Sequence, residues 1–521
     1  MVWYNTCNAT MKEVSPMLSL TNPLHIALFI TVSAFAMSYG WGMRGTTLGA
    51  EKGAMLPGAF MGMLIALFSG SPFLTSNFYL LSAIGAVGIY FGGSMSYMQS
   101  VGLTSNTNPP EDFKRGMMGL FVKGAIWFGL FGSTMGMFLS FLTGGLYNDL
   151  RLILLIFGAM PLFAFGGSRI FDRPFDEKKG IHPKIYFSKN RPEGMGVLFG
   201  ILAELIIVMA LYKDTIALAL TGGFVLTGSV SWCLAQLFHL RCKYPSKKGF
   251  QLFPFFRKKG ILELWKTQEC AMGFFSGIGL SVTFTLIYNF SFKYQAYYLD
   301  LKLPDLTGLR EWILPAIFVA LLILDMTKLF INRRKTKEEY EYMLSRGWMS
   351  RQELDIALQN VGKEPSKAWL LYERVREIAT FPIFCVIPLF FMFLGSAEVA
   401  KLVSFYILYF VIIEEQAFNR FNRFKTILLW RVALLGFGFA VIFAQFYWHW
   451  TPGLLGTVLL YGAFYEGITL VGNIAKRSPD RYNKPTIKES SLVKAYGGQV
   501  TMHPYFVLCI LVVTAFAAWV R

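Results

Sequence analysis

Apolar stretches of about 18 or more residues recur along the whole chain between short polar linkers, and each can cross the roughly 30 Å hydrocarbon layer of a bilayer. The pattern predicts helices near 25–46, 53–69, 77–99, 115–143, 150–168, 193–212, 215–239, 266–291, 310–332, 378–396, 398–416, 427–448, 453–472 and 502–520. Within these stretches the apolar residues are continuous rather than alternating with polar ones, which excludes a membrane β-barrel. The expected fold class is all-α, a polytopic integral membrane helix bundle of about 14 transmembrane helices.

The order of landmarks suggests internal duplication. Gly42-Met43-Arg44, Glu51, Gly93-Ser94-Met95-Ser96-Tyr97 and Gly129-Leu130-Phe131-Gly132 follow one another in the first part of the chain. Gly167-Ser168-Arg169, Glu193, Gly228-Ser229-Val230-Ser231-Trp232 and Gly273-Phe274-Phe275-Ser276 repeat that order, at offsets of 125 to 144 residues. The expected organisation is a short outer segment at 1–24, a four-helix repeat at 25–145, a second at 150–291, and a six-helix region at 310–521. Each copy has an even number of spans, so the two repeats would be parallel, related by an axis along the membrane normal. The six-helix region carries a polar insertion at 333–376, read as a cytoplasmic helical hairpin whose second helix starts at the capping-box sequence Ser350-Arg351-Gln352-Glu353. The first 24 residues lack the cationic start and small-residue cleavage site of a signal peptide.

Composition agrees with the pattern. The 521 residues are 54% apolar and 15% charged, whereas soluble domains carry roughly a quarter charged residues. The net charge of +18 raises nucleic acid as a partner, but the location of the cations excludes it. Arg169, Arg173, Lys178, Lys179, Lys184, Lys189 and Arg191 follow the fifth predicted helix, and Arg241, Lys243, Lys247, Lys248, Arg257, Lys258, Lys259 and Lys266 follow the seventh. The alternate linkers at 70–76, 213–214, 396–398 and 449–452 carry almost none. This is positive-inside alternation. It puts both termini outside, makes anionic lipid headgroups the partner of the basic inner loops, and points to an integral protein of a bacterial cytoplasmic (plasma) membrane.

Ionisable residues at membrane depth are the functional candidates. Arg44 and Glu51 flank a glycine-rich turn, and Arg169 and Glu193 occupy the matched positions in the second copy. Paired arginines suit bidentate binding of a carboxylate or phosphate. Ser94 and Ser96, with Ser229 and Ser231, place hydroxyls beside an aromatic and are candidates for lining a polar path. Glu204, in apolar sequence deep in the sixth span, and Glu269, opening the eighth, are the candidates for carrying a coupling proton. Lys123 and Lys266 read as snorkelling anchors.

The six cysteines form no CxxC, the five histidines do not cluster, and neither a GxSxG elbow nor a GxxxxGK[ST] loop is present. Neither cofactor, metal nor catalytic residue is expected. The leading expectation is a secondary transporter for a small organic anion or polar metabolite, proton-coupled through Glu204 or Glu51. The alternative is a membrane-embedded transferase or flippase acting on a lipid-linked substrate.

Overall fold

The computed structural model describes residues 18–291 except 45–53, 72–73, 76–77, 91, 93–94, 96, 106–107, 145, 148–149, 175, 177–178, 182–186, 188–193, 247–248 and 256–263; beyond 291 it describes 341, 344, 351, 354–355, 508–509, 512 and 515. The chain divides into two compact units, Met1–Leu299 with Thr451–Leu460 and Met502–Arg521, and Asp300–Trp450 with Tyr461–Thr501. The predicted helices from 310 to 472 and the hairpin at 333–376 lie outside the described residues, apart from the isolated positions above.

Nine helices are described: α1 (Pro23–Arg44), α2 (Met55–Phe68), α3 (Phe78–Tyr90), α4 (Met98–Leu103), α5 (Pro110–Gly144), α6 (Leu150–Gly167, continued by a π turn over Ser168–Asp172), α7 (Met195–Leu211), α8 (Thr215–Lys243) and α9 (Leu264–Ser291). There is no strand among the described residues. Among the described residues, four segments are long and apolar enough to cross a membrane: Pro23–Gly42, Pro110–Phe141, Thr215–Lys243 and Thr267–Tyr288. On α8, Leu226, Val230, Leu234 and Leu237 are all exposed, at spacings that form one apolar stripe along the helix. An exposed apolar stripe on a helix of that length is what hydrocarbon, not water, covers.

Helix bounds follow local chemistry. α5 begins five residues before its predicted start because Pro110 fits the first helical position and Glu111 and Asp112 complement the dipole of the first turn. α8 continues to Lys243, with Arg241 and Lys243 in its last turn. The third predicted helix differs most from the pattern: instead of one helix over 77–99, α3 ends at Tyr90 and a separate short helix, α4, starts at Met98.

Neighbouring helices approach through small residues, as membrane helices do. A Cβ on Gly58 would strike the carbonyl of Gly85, and one on Gly85 would strike the carbonyl of Gly58, which fixes the α2–α3 contact. Gly273 and Gly277 of α9 lie on the backbone of Met37 and Ser33 in α1, where Ser38 Oγ also donates to the Cys270 carbonyl at 2.9 Å. Gly124 and Gly228 make the same kind of seam between α5 and α8. Gly167, Gly196 and Gly200 bring α6 and α7 together.

Candidate functional site

Trp127 stands at the break in the third predicted helix. Its indole Nε1 donates to the Ile89 carbonyl at 2.5 Å, and its ring occupies the space that a Cβ on Gly92 would need. α3 is described to Tyr90, Gly92 lies in a 3₁₀ turn, Met95 in a bend, and α4 begins after Tyr97. Around this break stands a buried aromatic cluster: Trp41 and Trp127 have centroids 5.2 Å apart, Trp127 and Trp232 5.0 Å, and Tyr97 and Trp232 5.6 Å.

Polar groups hold α4 against this cluster. Tyr97 Oη donates to Glu269 Oε1 at 2.9 Å. Lys123 Nζ donates to Ser100 Oγ at 2.8 Å. Gln268 Nε2 donates to Gln236 Oε1 at 2.8 Å, Gln236 Nε2 donates to Thr104 Oγ1 at 2.5 Å, and Thr104 Oγ1 donates to the Val101 carbonyl at 2.7 Å. Ser105 Oγ and Tyr244 Oη share a further hydrogen bond of 3.1 Å. The helix itself buries Ser100, Val101 and Leu103. Two apolar side chains contribute about 1.5–3 kcal/mol each, and each hydrogen bond about 0.5–1.5 kcal/mol, more where a charge takes part. The polar tethers thus hold α4 about as firmly as its apolar contacts do. Within the same cluster, Trp232 Nε1 and Gln268 Oε1 are buried without a hydrogen-bond partner.

The sequence candidates divide into several groups. Glu269, 6% exposed, belongs to the polar cluster. Ser229 Oγ donates to the Val225 carbonyl of its own helix at 2.8 Å, and Ser231 Oγ donates to the Phe275 carbonyl of α9 at 3.0 Å, so both hydroxyls serve helix carbonyls. Arg169 is exposed in the π turn, its guanidinium carbon 4.9 Å from the centre of the Phe165 ring. Arg44 closes α1, its side chain lying outside the described residues, as do Glu51, Glu193, Ser94 and Ser96. Lys123 corrects the anchor expectation: it is fully buried, about 20 Å along α5 from Pro110 at 1.5 Å per residue, and reaches Ser100 rather than an interface.

Four carboxyl side chains are buried among the described residues, and their surroundings separate their roles. Asp172 Oδ1 accepts from the Gly196 backbone N–H at 3.0 Å, so the π turn of α6 caps the start of α7. Asp214 caps α8 and is fully engaged: Oδ1 accepts from Ala217 N and Ser140 Oγ, and Oδ2 from Tyr147 Oη, each at 2.9 Å. Burial first, and the adjacent Asp214 carboxylate second, raise the Tyr147 hydroxyl above the usual tyrosine range. Glu269 has the Tyr97 hydroxyl.

Glu204 is different. It is 2% exposed, and neither carboxyl oxygen has a hydrogen-bond partner. It continues the stripe of Gly196 and Gly200, which packs on α6 where Gly200 meets the Phe163 carbonyl. Pro161 lies inside α6 and has no N–H to return to the carbonyl of Phe157 four residues earlier. An unpartnered carboxyl is thus set against a helix whose own ladder is interrupted, an arrangement able to take up and release a proton.

The sequence carried a weak sign of Asp214, an acid immediately before the apolar run of α8. Gln236, Gln268 and Trp127 gave none, because their partners lie far away in the chain. Comparison with protein-family models, with curated proteins and with solved structures gives no match to this chain.

Proposed function

We propose that this chain is a proton-coupled secondary transporter for a small polar metabolite or organic anion, built of about 14 spans in a bacterial cytoplasmic membrane with both termini outside. Glu204 carries the proposal. A buried polar group without a partner costs about 1–3 kcal/mol, and intramembrane carboxyls kept at such a cost mark proton relays and substrate paths. The interrupted third span supports the same reading, since transporters place substrate sites at discontinuous helices. Tyr97 and Trp232, matched in the proposed parallel repeats, meet at 5.6 Å, as equivalent residues near a two-fold axis do. The exposed Arg169 and the matched Arg44 stand at the ends of their helices facing the inner side, where an anionic group would first be met.

The test is uptake by proteoliposomes containing the full chain, across a metabolite panel, with and without an imposed proton gradient. Gradient-dependent accumulation of a panel member supports transport. Turnover or translocation of a lipid-linked substrate that ignores the gradient would replace it with the embedded transferase or flippase.

A further inference from the structure

The chain that follows α8 is tied down by hydrogen bonds and yet leaves three phenylalanines exposed. Leu252 N donates to the Arg241 carbonyl at 3.1 Å and Gln251 Nε2 to the Cys242 carbonyl at 2.9 Å, which returns the chain onto the last turn of α8. Ser246 closes the turn: its N–H donates to the Phe250 carbonyl at 2.6 Å, and its Oγ accepts from Phe250 N at 2.9 Å. Despite this order Phe250 is 61% exposed, Phe253 47% and Phe255 62%. Phe253 also has a φ of +50°, a left-handed conformation that is an outlier for a bulky residue and persists only where the surroundings over-determine it. In water, such a cluster would be an exposed apolar patch of the kind that marks an interaction site.

Two neighbours indicate what covers it. The exposed apolar stripe of α8 ends at Leu234 and Leu237, and the ring of the next residue, Phe238, meets Phe253 edge-on with centroids 6.3 Å apart. The surface that hydrocarbon covers on α8 therefore continues onto the loop. Cations lie beside it. Arg241 and Lys243, both half-buried, occupy the last turn of α8, and Lys243 Nζ stands 5.1 Å from the centre of the Tyr244 ring. The sequence adds Lys247-Lys248 before Phe250 and Arg257-Lys258-Lys259 after Phe255. Cations set beside apolar aromatic side chains are the composition of segments that lie in the bilayer interface.

We propose that the 244–255 loop is a membrane anchor: Phe250, Phe253 and Phe255 insert at the boundary between headgroups and acyl chains, while Arg241 and Lys243 hold anionic headgroups. Charge alone implies only headgroup contact, which salt screens. The folded loop adds an apolar component that salt does not screen. The inference needs α8 to span a bilayer and is independent of what the chain transports.

Photocrosslinking tests it. Phe250, Phe253 and Phe255 are replaced, one at a time, by p-benzoylphenylalanine in the full chain, held in nanodiscs of phosphatidylcholine and phosphatidylglycerol. Leu234, replaced in the same way, is the reference on the α8 stripe. The expected result is adducts to lipid acyl chains at all three loop positions, as at Leu234. Lipid adducts at fewer than two of them, or adducts there to another part of this chain or to a second copy, overturn the inference. A Leu234 that also fails to label lipid overturns the bilayer placement of α8 on which it rests.

Thermal stabilisation of the detergent-purified full chain by added phosphatidylglycerol separates the two components. Phe250→Ser combined with Phe253→Ser and Phe255→Ser should raise the lipid concentration needed at high salt at least ~10-fold, the size of one lost apolar side-chain burial. Arg241→Gln with Lys243→Gln should instead weaken the preference for phosphatidylglycerol over phosphatidylcholine at low salt. An unchanged lipid response in the serine variant would overturn the insertion.

Discussion

Replacing Glu204 with leucine should stabilise the folded chain, although it removes the residue on which the proposed activity depends. The side chain is 2% exposed and both of its carboxyl oxygens lack partners. Burying such a group costs about 1–3 kcal/mol, and a leucine in its place recovers that cost and adds apolar contact. Leucine and glutamate have similar helix propensities, so the backbone of α7 contributes little to the difference. For a domain of ~150–250 residues, each kcal/mol shifts Tm by about 2–4 °C, which puts the variant several degrees above the parent. Thermal unfolding of the purified full chain, followed by tryptophan fluorescence, measures it. Asp214→Ala provides the opposite case: it removes an N-cap and leaves the buried hydroxyls of Ser140 and Tyr147 without their acceptor, a loss of at least ~2 kcal/mol. If Glu204→Leu lowers Tm as Asp214→Ala does, the Glu204 carboxyl has a partner that offsets its burial, and the argument from an unpartnered acid fails.

Further outcomes follow from the packing and from Tyr147. Gly58→Ala drives a methyl into the Gly85 backbone and should destabilise by about 1–3 kcal/mol, whereas Gly222→Ala, with nothing within 4 Å of its new methyl, should stabilise by roughly 0.5–1 kcal/mol; both are read by the same thermal assay. The Tyr147 hydroxyl is held protonated by its burial and by Asp214, so above about pH 10 the unfolded chain releases a proton that the folded chain keeps. Stability is therefore unaffected at neutral pH and falls as pH rises beyond that point. Tyr147→Phe should reduce the steepness of the alkaline fall between pH 9 and 11 relative to the parent chain, and an identical slope in both would contradict the assignment.

Much of the helix placement between Pro23 and Ser291 was legible because a 3.6-residue helix needs only a continuous apolar run and a suitable cap to declare itself. The bounds of α2 and α7 fall within two residues of the pattern. The third predicted helix was read as continuous because hydropathy registers Gly92 as membrane sequence, while the space beside Gly92 is filled by Trp127, which lies 35 residues away in the chain. Lys123 was misread for a related reason. A lysine in apolar sequence is simplest as an interfacial anchor, and only the fold shows that Ser100 is within its reach.

The candidate site depended still more on distant pairing. Glu269 was named from the sequence as a membrane-depth acid, but its bond to Tyr97 spans 172 residues. Periodicity cannot see such a contact. The serines illustrate the converse: Ser229 and Ser231 stood out by their matched spacing, yet each hydroxyl satisfies a helix carbonyl. Of the candidates, Glu204 was the most legible, because an acid with apolar neighbours on both sides must be either paired across helices or left unpartnered, and the structure decides between these two.

The most direct test of the account is Glu204→Gln in proteoliposomes, assayed in two modes on the same preparation. The account predicts that accumulation driven by a proton gradient is lost, while exchange of labelled for unlabelled substrate at equal concentrations across the membrane persists, since exchange requires no net proton movement. Accumulation at the parent level in Glu204→Gln would contradict the central claim that Glu204 carries the coupling proton.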